Sequence, residues 1–388
     1  MARMARVEVF APDEVAIVHV MNRVVRRCFL LGNDPVTGKN YDHRKVWVET
    51  LLKRFSAHFG IDLLGFAILS NHFHLILRSR PDVVTTWDDT EVARRWLMLC
   101  PMRKDAEENP EIPDEMELDT VRNDPEKMKT VRLRLSDIGW WMRLLCQQIA
   151  IKANREDQEM GKFWQSRFKA VRLLDEAALL ACSAYVDLNP IRAAMAQTLE
   201  QSDFTSVQRR IQTMQAQSGK TIKTQAKRIS TSASSRSQKA EPVANGSSRS
   251  TRASASSTAD GFLAPLTLDE RSGKTGTVAN RSGLRCSDKG FLPMSQGDYL
   301  QLLDWTARQL VEGKPGATPA GTLPIIERLS LDPKVWCDLV AGFGRLFYNV
   351  AGQPQTIDAT PSRVTQQRYY LRGETRKLFV STSPESSA

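Results

Sequence analysis

Two apolar runs separated by only two polar residues place the strongest constraint on the fold of this chain. Residues 62–69 and 72–78 are both rich in aliphatic residues, and Ser70-Asn71 lies between them. Because so short a connection returns the chain antiparallel to itself, the pattern predicts a β-hairpin. Residues 15–21, rich in β-branched residues, predict a further strand.

Helical spacing of apolar residues predicts helices on either side of this hairpin. The predicted ranges are 44–59, 87–100, 131–155 and 175–188. Asp175 is a suitable N-cap for the last of these helices. Pro190 disfavours helical geometry in the residue before it, so this helix should end near Asn189, and a short helix over 192–199 should follow.

Composition divides the chain into unequal parts. Residues 105–126 are strongly acidic and contain several prolines, which predicts a mobile insertion over about 101–130 within a first domain of residues 1–212. Residues 213–260 are rich in Ser, Thr, Ala and basic residues and cannot bury enough apolar surface to offset the entropy of ordering, which predicts a disordered basic linker. Residues 261–388 regain apolar residues and predict a partly helical C-terminal region without an assignable role.

Charge favours a polyanionic partner. Lys and Arg number 54 against 44 Asp and Glu, which gives a net charge of +10. Nucleic acid is the first candidate and an anionic membrane surface the second, while a basic protein without an acidic ligand is the plain alternative. The absence of a secretory signal, of a long apolar run and of paired cysteine motifs predicts a soluble cytoplasmic protein that does not bind a membrane.

The segment His72-Phe73-His74 is a candidate metal-binding motif. Alternate residues of a strand share one face, so both imidazoles point the same way while Phe73 points into a core. Two imidazoles on one face can hold a divalent metal ion. The alternative is a pair of exposed polar residues on an amphipathic strand.

Tyr185 and Asn189 form a second candidate pair. Positions i and i+4 lie on one face of a helix, so the phenol and the amide are neighbours. The amide oxygen of Asn189 is a hard ligand suited to a metal ion. The alternative is a tyrosine that packs in the core and an asparagine that ends the helix before Pro190.

Residues 161–174 interleave aromatic and basic side chains, a pattern that predicts contact with DNA. Aromatic rings at 163, 164 and 168 can stack on bases while cations contact phosphates. The candidate DNA-binding residues are Lys162, Trp164, Arg167, Lys169 and Arg172. The alternative places the aromatic residues in the core and the charges on a solvated face.

Four segments together resemble the single-tyrosine HUH transposases, and most resemble the branch of REP-associated tyrosine transposases. Residues 71–77 resemble the His-hydrophobic-His signature, and residues 163–168 resemble a Trp-Gln-x-Arg-Phe stretch. Residues 185–193 resemble the Tyr-Ile-x-x-Asn-Pro-Val-Arg/Lys-Ala motif, and residues 19–23 resemble the opening strand. The four segments follow the order of that family over roughly residues 15–210.

The resemblance implies an α+β fold with a ferredoxin-like antiparallel sheet and packed helices. It implies that His72, His74 and Asn189 bind Mg²⁺ or Mn²⁺, although imidazole ligands also suit zinc. It further implies that Tyr185 is the nucleophile of a nuclease that cleaves and rejoins single-stranded DNA near hairpins through a 5′-phosphotyrosine, in a monomer or homodimer. A chain that ends near residue 212 is then expected to cleave.

Two other functions are compatible with the sequence. A transposase relative that binds hairpin DNA without cutting it would contain the same motifs. A structural or scaffolding protein with a basic tail would show no metal-dependent DNA chemistry at all.

Overall fold

The computed structural model describes most of the chain. The described residues are 9–11, 13–25, 28–218, 258–268, 280, 282–310, 322–329, 331–361 and 369–380. Most of the linker predicted over 213–260 lies outside them. The part of it that is described at its start, residues 213–218, is helical.

Five strands form one sheet in the described part of the chain. They are β1 (Ile17–Arg23), β2 (Ile61–Ile68), β3 (His72–Ser79), β4 (Lys169–Leu173) and β5 (Val350–Ala351). The order is β2-β3-β1-β4-β5, and every pair is antiparallel except β4 with β5. The first four strands follow the ferredoxin-like order, which confirms the predicted α+β fold. The predicted hairpin is β2-β3, closed by a hydrogen bond of 2.9 Å from the Leu69 amide to the His72 carbonyl.

Helices cover both faces of this sheet. They are α1 (His43–His58), α2 (Pro81–Val84), α3 (Asp89–Leu99), α4 (Glu115–Arg122), α5 (Pro125–Leu135), α6 (Ile138–Asp157), α7 (Glu176–Asp187), α8 (Asn189–Arg192), α9 (206–218), α10 (Gln296–Leu310), α11 (Thr322–Arg328), α12 (Pro333–Leu346), α13 (Pro354–Ala359) and α14 (Gly373–Val380). None of the described helices combines the length and the apolar character needed to cross a membrane.

Alternation along β3 separates two hydrophobic cores. Phe73, Leu75 and Leu77 point into one core, which also contains buried residues of α1, α3 and α6. Ile76 points into the other core, which contains buried residues of α7, α10 and α12. The sheet is therefore a middle layer, and its β3 histidines lie on the side that α7 covers.

The acidic segment is not a mobile insertion over residues 115–130, and that prediction was wrong. Asp114 caps α4, because its side chain accepts from the Glu117 amide while the Glu117 carboxylate accepts from the Asp114 amide. Leu118 and Val121 are buried against the neighbouring helices. The acidic residues that suggested disorder occupy the exposed face of a helix whose other face is apolar.

Two other helix predictions needed correction. The helix expected over 131–155 is two helices, because Asp137 interrupts it and caps α6 through the Gly139 amide. The short helix expected over 192–199 is instead α8, which begins directly after α7. Asp175 caps α7 as predicted by accepting from the Ala178 amide at 2.8 Å.

The C-terminal region shares a core with the first 212 residues. Its helices α10 and α12 pack beside α7, and the buried Tyr299 hydroxyl donates to Asp187 at 2.7 Å. The Arg78 guanidinium, buried at the end of β3, donates to the carbonyl of Gly290 at 2.9 Å. Residue 212 is consequently not a boundary in the packing.

Candidate functional site

The register of β1 and β3 brings three histidines to one face of the sheet. His74 lies opposite Met21 and His72 lies opposite Arg23, and residues opposite each other in antiparallel strands share a face. His19, two residues before Met21, lies on that face too. Its ring stacks on that of His74 with centroids 5.1 Å apart, and the ring of His72 lies 5.0 Å from His74 on the other side.

Hydrogen bonds to His72 and His74 involve Nδ1 of each ring, which leaves Nε2 of each ring available to a metal ion. The Nδ1 of His72 donates to the Asn71 amide oxygen at 2.6 Å, so the lone pair of the neutral ring is on Nε2. The Nδ1 of His74 is 2.9 Å from Nε2 of His19. The Nε2 of His74 is buried without a hydrogen-bond partner. An anchored Nδ1 with a free Nε2 is the arrangement usual for a metal-binding histidine.

Burial keeps all three imidazoles neutral near pH 7. It lowers the pKa of His19 to about 4, and together with the charge of Arg23 it lowers the pKa of His72 to about 4. The pKa of His74 is held well below its usual value by burial first and by the neighbouring rings and arginines second. A neutral imidazole is the form that binds a metal ion.

Helix α7 carries Tyr185 to the imidazole pair. The tyrosine ring meets the His74 ring edge to face, with centroids 5.3 Å apart and planes at 85°. Asn189, at the start of α8, hydrogen-bonds the phenol, and the Arg192 guanidinium carbon lies 5.0 Å from the ring centre. The structure therefore brings together the predicted residues His74, Tyr185 and Asn189.

The environment of Tyr185 acts on its pKa in two directions. Burial raises the pKa above the ordinary value of 10, because it disfavours the charged phenolate. The charge of Arg192 and the hydrogen bond of Asn189 oppose that increase. The net effect is a neutral phenol, held beside groups that stabilise its deprotonated form.

Helix α12 forms the opposite side of this site. The Phe343 ring lies over Tyr185 with centroids 5.6 Å apart and planes at 31°. Beside it, a Cβ atom at Gly344 would lie only 2.9 Å from the Tyr185 hydroxyl oxygen. Glycine at position 344 thus leaves room for the phenol, a role that the sequence did not indicate.

A cavity of about 970 Å³ opens between the sheet and the C-terminal region. Both His19 and His74 line it, as does Tyr185. Its basic residues are Arg23, Lys169, Arg192, Arg345 and Arg372, and its acidic residues are Asp338 and Glu374. This excess of positive charge suits an anionic ligand.

The predicted DNA-binding residues fall into three groups. Lys169 is exposed and lines the cavity beside Tyr185. Lys162, Trp164 and Arg167 instead line a second cavity of about 780 Å³ on the α6 side of the sheet. Arg172 is on that opposite face as well, where both of its terminal nitrogens bond the Glu14 carboxylate.

Base stacking by the aromatic residues around Trp164 is restricted by their burial. Phe163 and Phe168 are 3% and 5% exposed and belong to the core, which favours the alternative that places the aromatic residues there. Trp164 is half-buried, and its indole nitrogen donates to the Cys146 carbonyl at 2.8 Å. Only part of its ring face is available to a ligand.

His19, Arg23 and Arg192 were missed as site residues by the sequence analysis. His19 and Arg23 lie within the segment 19–23 whose resemblance to an opening strand was noted, but their side chains reach the site only through the β1–β3 register. Arg192 follows Asn189 within the tyrosine motif. For Arg192 a signal was available, since it follows the candidate residue Asn189 by three positions.

Among the described residues, no group of three or more His, Cys, Asp or Glu side chains is arranged to hold a metal ion. The imidazoles of His72 and His74 nevertheless fit one, because the buried Nε2 of His74 has no other partner. Amide or phosphate oxygens would have to complete the coordination shell. The side chain of Asn189, beside Tyr185, has such an amide oxygen.

No family model matches this chain, and no curated protein sequence matches it. Among solved structures, a REP-associated tyrosine transposase bound to a REP hairpin is similar to it. The similarity covers 53% of this chain and 82% of that chain, with 11% sequence identity and a TM-score of 0.30. A likeness at this level establishes neither a family nor an activity.

Proposed function

We propose that this protein is a metal-dependent nuclease and strand transferase of the transposase type, which cuts and rejoins single-stranded DNA near hairpins. The observation that carries the proposal is the contact between the Tyr185 phenol ring and the His74 imidazole, 5.3 Å apart, in a cavity rich in positive charge. The order of the motifs along the sequence supports the same function.

His72, His74 and Asn189 are the residues that would hold a divalent cation, Mg²⁺ or Mn²⁺. Such a cation supplies Lewis-acid polarisation of the scissile phosphate. The hydrogen bond that His72 donates to Asn71 and the hydrogen bond between His74 and His19 orient the two rings. Both rings are already neutral, so no proton has to leave before they bind a metal ion.

Tyr185 then attacks phosphorus through its phenolic oxygen. An O–P bond forms between the tyrosine and the 5′ side of the nick, and the bond from phosphorus to the 3′ oxygen breaks. The phenol proton leaves to solvent, and the 3′ oxygen takes up a proton to become a hydroxyl. Attack by a 3′-hydroxyl on the phosphotyrosine reverses these steps, so rejoining needs no external energy source.

A covalent adduct tests this proposal directly. We expect the full chain with Mn²⁺ and a labelled single strand bearing a hairpin to give a protein–DNA band on a denaturing gel. EDTA, or the double substitution His72→Ala and His74→Ala, should remove the band because the phosphate is no longer polarised. A band that persists in EDTA would contradict the metal-dependent part of the proposal.

The same assay separates the alternative functions. A catalytically silent hairpin-binding protein would retard the DNA on a native gel and form no adduct with any metal. A scaffolding protein would do neither.

Substitution of Gly344 should lower cleavage without weakening the fold. In Gly344→Ala the new Cβ meets the Tyr185 hydroxyl, so the phenol must move from its position beside His74. We expect single-turnover cleavage to fall roughly tenfold to a hundredfold, the range that an ångström of misplacement costs a reaction. Gly342→Ala is the matched control, since it is in the same helix and its new Cβ would meet the Leu346 and Arg345 side chains and not Tyr185. Equal loss in both variants would locate the effect in α12 rather than at the phenol.

A further inference from the structure

The C-terminal region supplies one wall of the cavity that contains Tyr185. Phe343 on α12 contacts both Tyr185 and His19, with ring centroids 5.6 Å and 6.0 Å away. Strand β5 extends the sheet beside β4, and the Arg172 amide donates to the Asn349 carbonyl at 2.8 Å just before it. A DNA strand bound at Tyr185 would therefore lie beside this wall.

Three residues form an exposed rim where α12 ends. Arg345 has 72% of its side chain exposed, and its ion pair with Glu374 is long, at 3.9 Å. Tyr348 is 50% exposed and lines the cavity. Arg372 is exposed, and its guanidinium donates to the backbone carbonyl of Arg345 at 2.8 Å, which holds it beside the end of α12.

This combination of groups matches the chemistry of single-stranded DNA. Arginine side chains contact backbone phosphates, and an exposed aromatic ring stacks on a base of any sequence. Duplex DNA offers phosphates to such a rim but keeps its bases stacked on each other. Across the cavity, Lys169 and Arg192 continue the positive charge towards Tyr185.

We propose that the C-terminal rim of Arg345, Tyr348 and Arg372 binds the single DNA strand that enters the Tyr185 cavity, with a base stacked on Tyr348 and phosphates at the two arginines. This inference rests on the proposed function and extends it, because it assigns a DNA-binding role to a region that the motifs do not reach. The nuclease site and the rim are on different parts of the chain, so they can be tested apart.

The test measures DNA binding without cleavage. In the full chain carrying Tyr185→Phe, fluorescence anisotropy follows binding of a labelled single strand of mixed sequence. Adding Arg345→Ala, Tyr348→Ala and Arg372→Ala should weaken affinity roughly tenfold or more. The slope of log affinity against log salt should fall by about 1.4, the value for two lost phosphate contacts on a single strand.

Arg308→Ala with Tyr370→Ala is the control in the same background. Arg308 is paired with Asp304 at 2.9 Å and Tyr370 is 58% exposed, and neither residue lines the cavity. We expect this variant to bind like its parent.

Each outcome decides one point. If the rim variant keeps its affinity for DNA and its salt slope, the proposed DNA-binding role of the rim is wrong, even if the wild-type chain forms the covalent adduct. Equal loss in the control variant also overturns it. If the wild-type chain forms no adduct while the rim variant still loses affinity, the nuclease proposal fails and the binding role remains. If the parent chain with Tyr185→Phe binds no single-stranded DNA, both the nuclease proposal and the proposed role of the rim are wrong.

Discussion

Replacing Tyr185 with phenylalanine should abolish cleavage of hairpin-bearing single-stranded DNA while leaving binding nearly intact. The substitution removes only the hydroxyl, so the ring contacts with His74 and Phe343 remain. Without the phenolic oxygen the variant has no atom that can attack phosphorus, so no phosphotyrosine can form. We expect the cleavage rate to fall by at least about a thousandfold.

Gel analysis of cleavage and anisotropy of binding would be run on the same preparation of this variant. Tyr370→Phe is the matched control, because Tyr370 is exposed and lies away from the cavity. It should cleave like the wild-type chain. Wild-type cleavage by Tyr185→Phe would exclude Tyr185 as the nucleophile.

Ending the chain at residue 212 should destroy the fold of the remaining part, contrary to the expectation from sequence. Helix α7 is buried on nearly every side, and one of those sides is formed by α10 and α12. Truncation would expose apolar side chains of the core that α7 shares with α10 and α12, each with a burial free energy of about 1.5–3 kcal/mol. Several such losses are comparable with the whole stability of a domain, about 5–15 kcal/mol.

Buried polar groups add to the cost of this truncation. Asp62 accepts from the Ser287 amide at 3.0 Å and from its hydroxyl at 2.9 Å, and Asp187 accepts from Tyr299. Both carboxylates keep donors from within residues 1–212, but each lost hydrogen bond to a charged group removes about 1.5–3 kcal/mol. We therefore expect the truncated chain to lose its cooperative thermal transition, or to melt more than about 10 °C below the full chain.

Circular dichroism during heating measures this effect. As a control, residues 1–218 and 258–388 co-expressed as two chains should associate and regain the transition, since the contacts that matter join these two parts. A truncated chain that melts like the full protein would show that the C-terminal region is dispensable for folding. It would then support the boundary that the sequence suggested.

The sequence by itself determined the local structure around the site. The Ser70-Asn71 turn between two apolar runs specified the β2–β3 hairpin, and alternation along β3 specified that His72 and His74 share a face. Asp175 and Pro190 specified the beginning and the end of the helix that carries Tyr185. These features depend on chemistry within a few residues, so the printed sequence is enough to predict them.

Only the tertiary structure decided what surrounds those residues. The pairing of His19 with His74 depends on strand register, and the packing of Phe343 and Gly344 on Tyr185 joins segments far apart in the chain. An apolar pattern shows which face of a helix is buried but not which partner covers it. For that reason the composition change after residue 212 suggested a separate C-terminal region, whereas burial of α7 made that region part of the site.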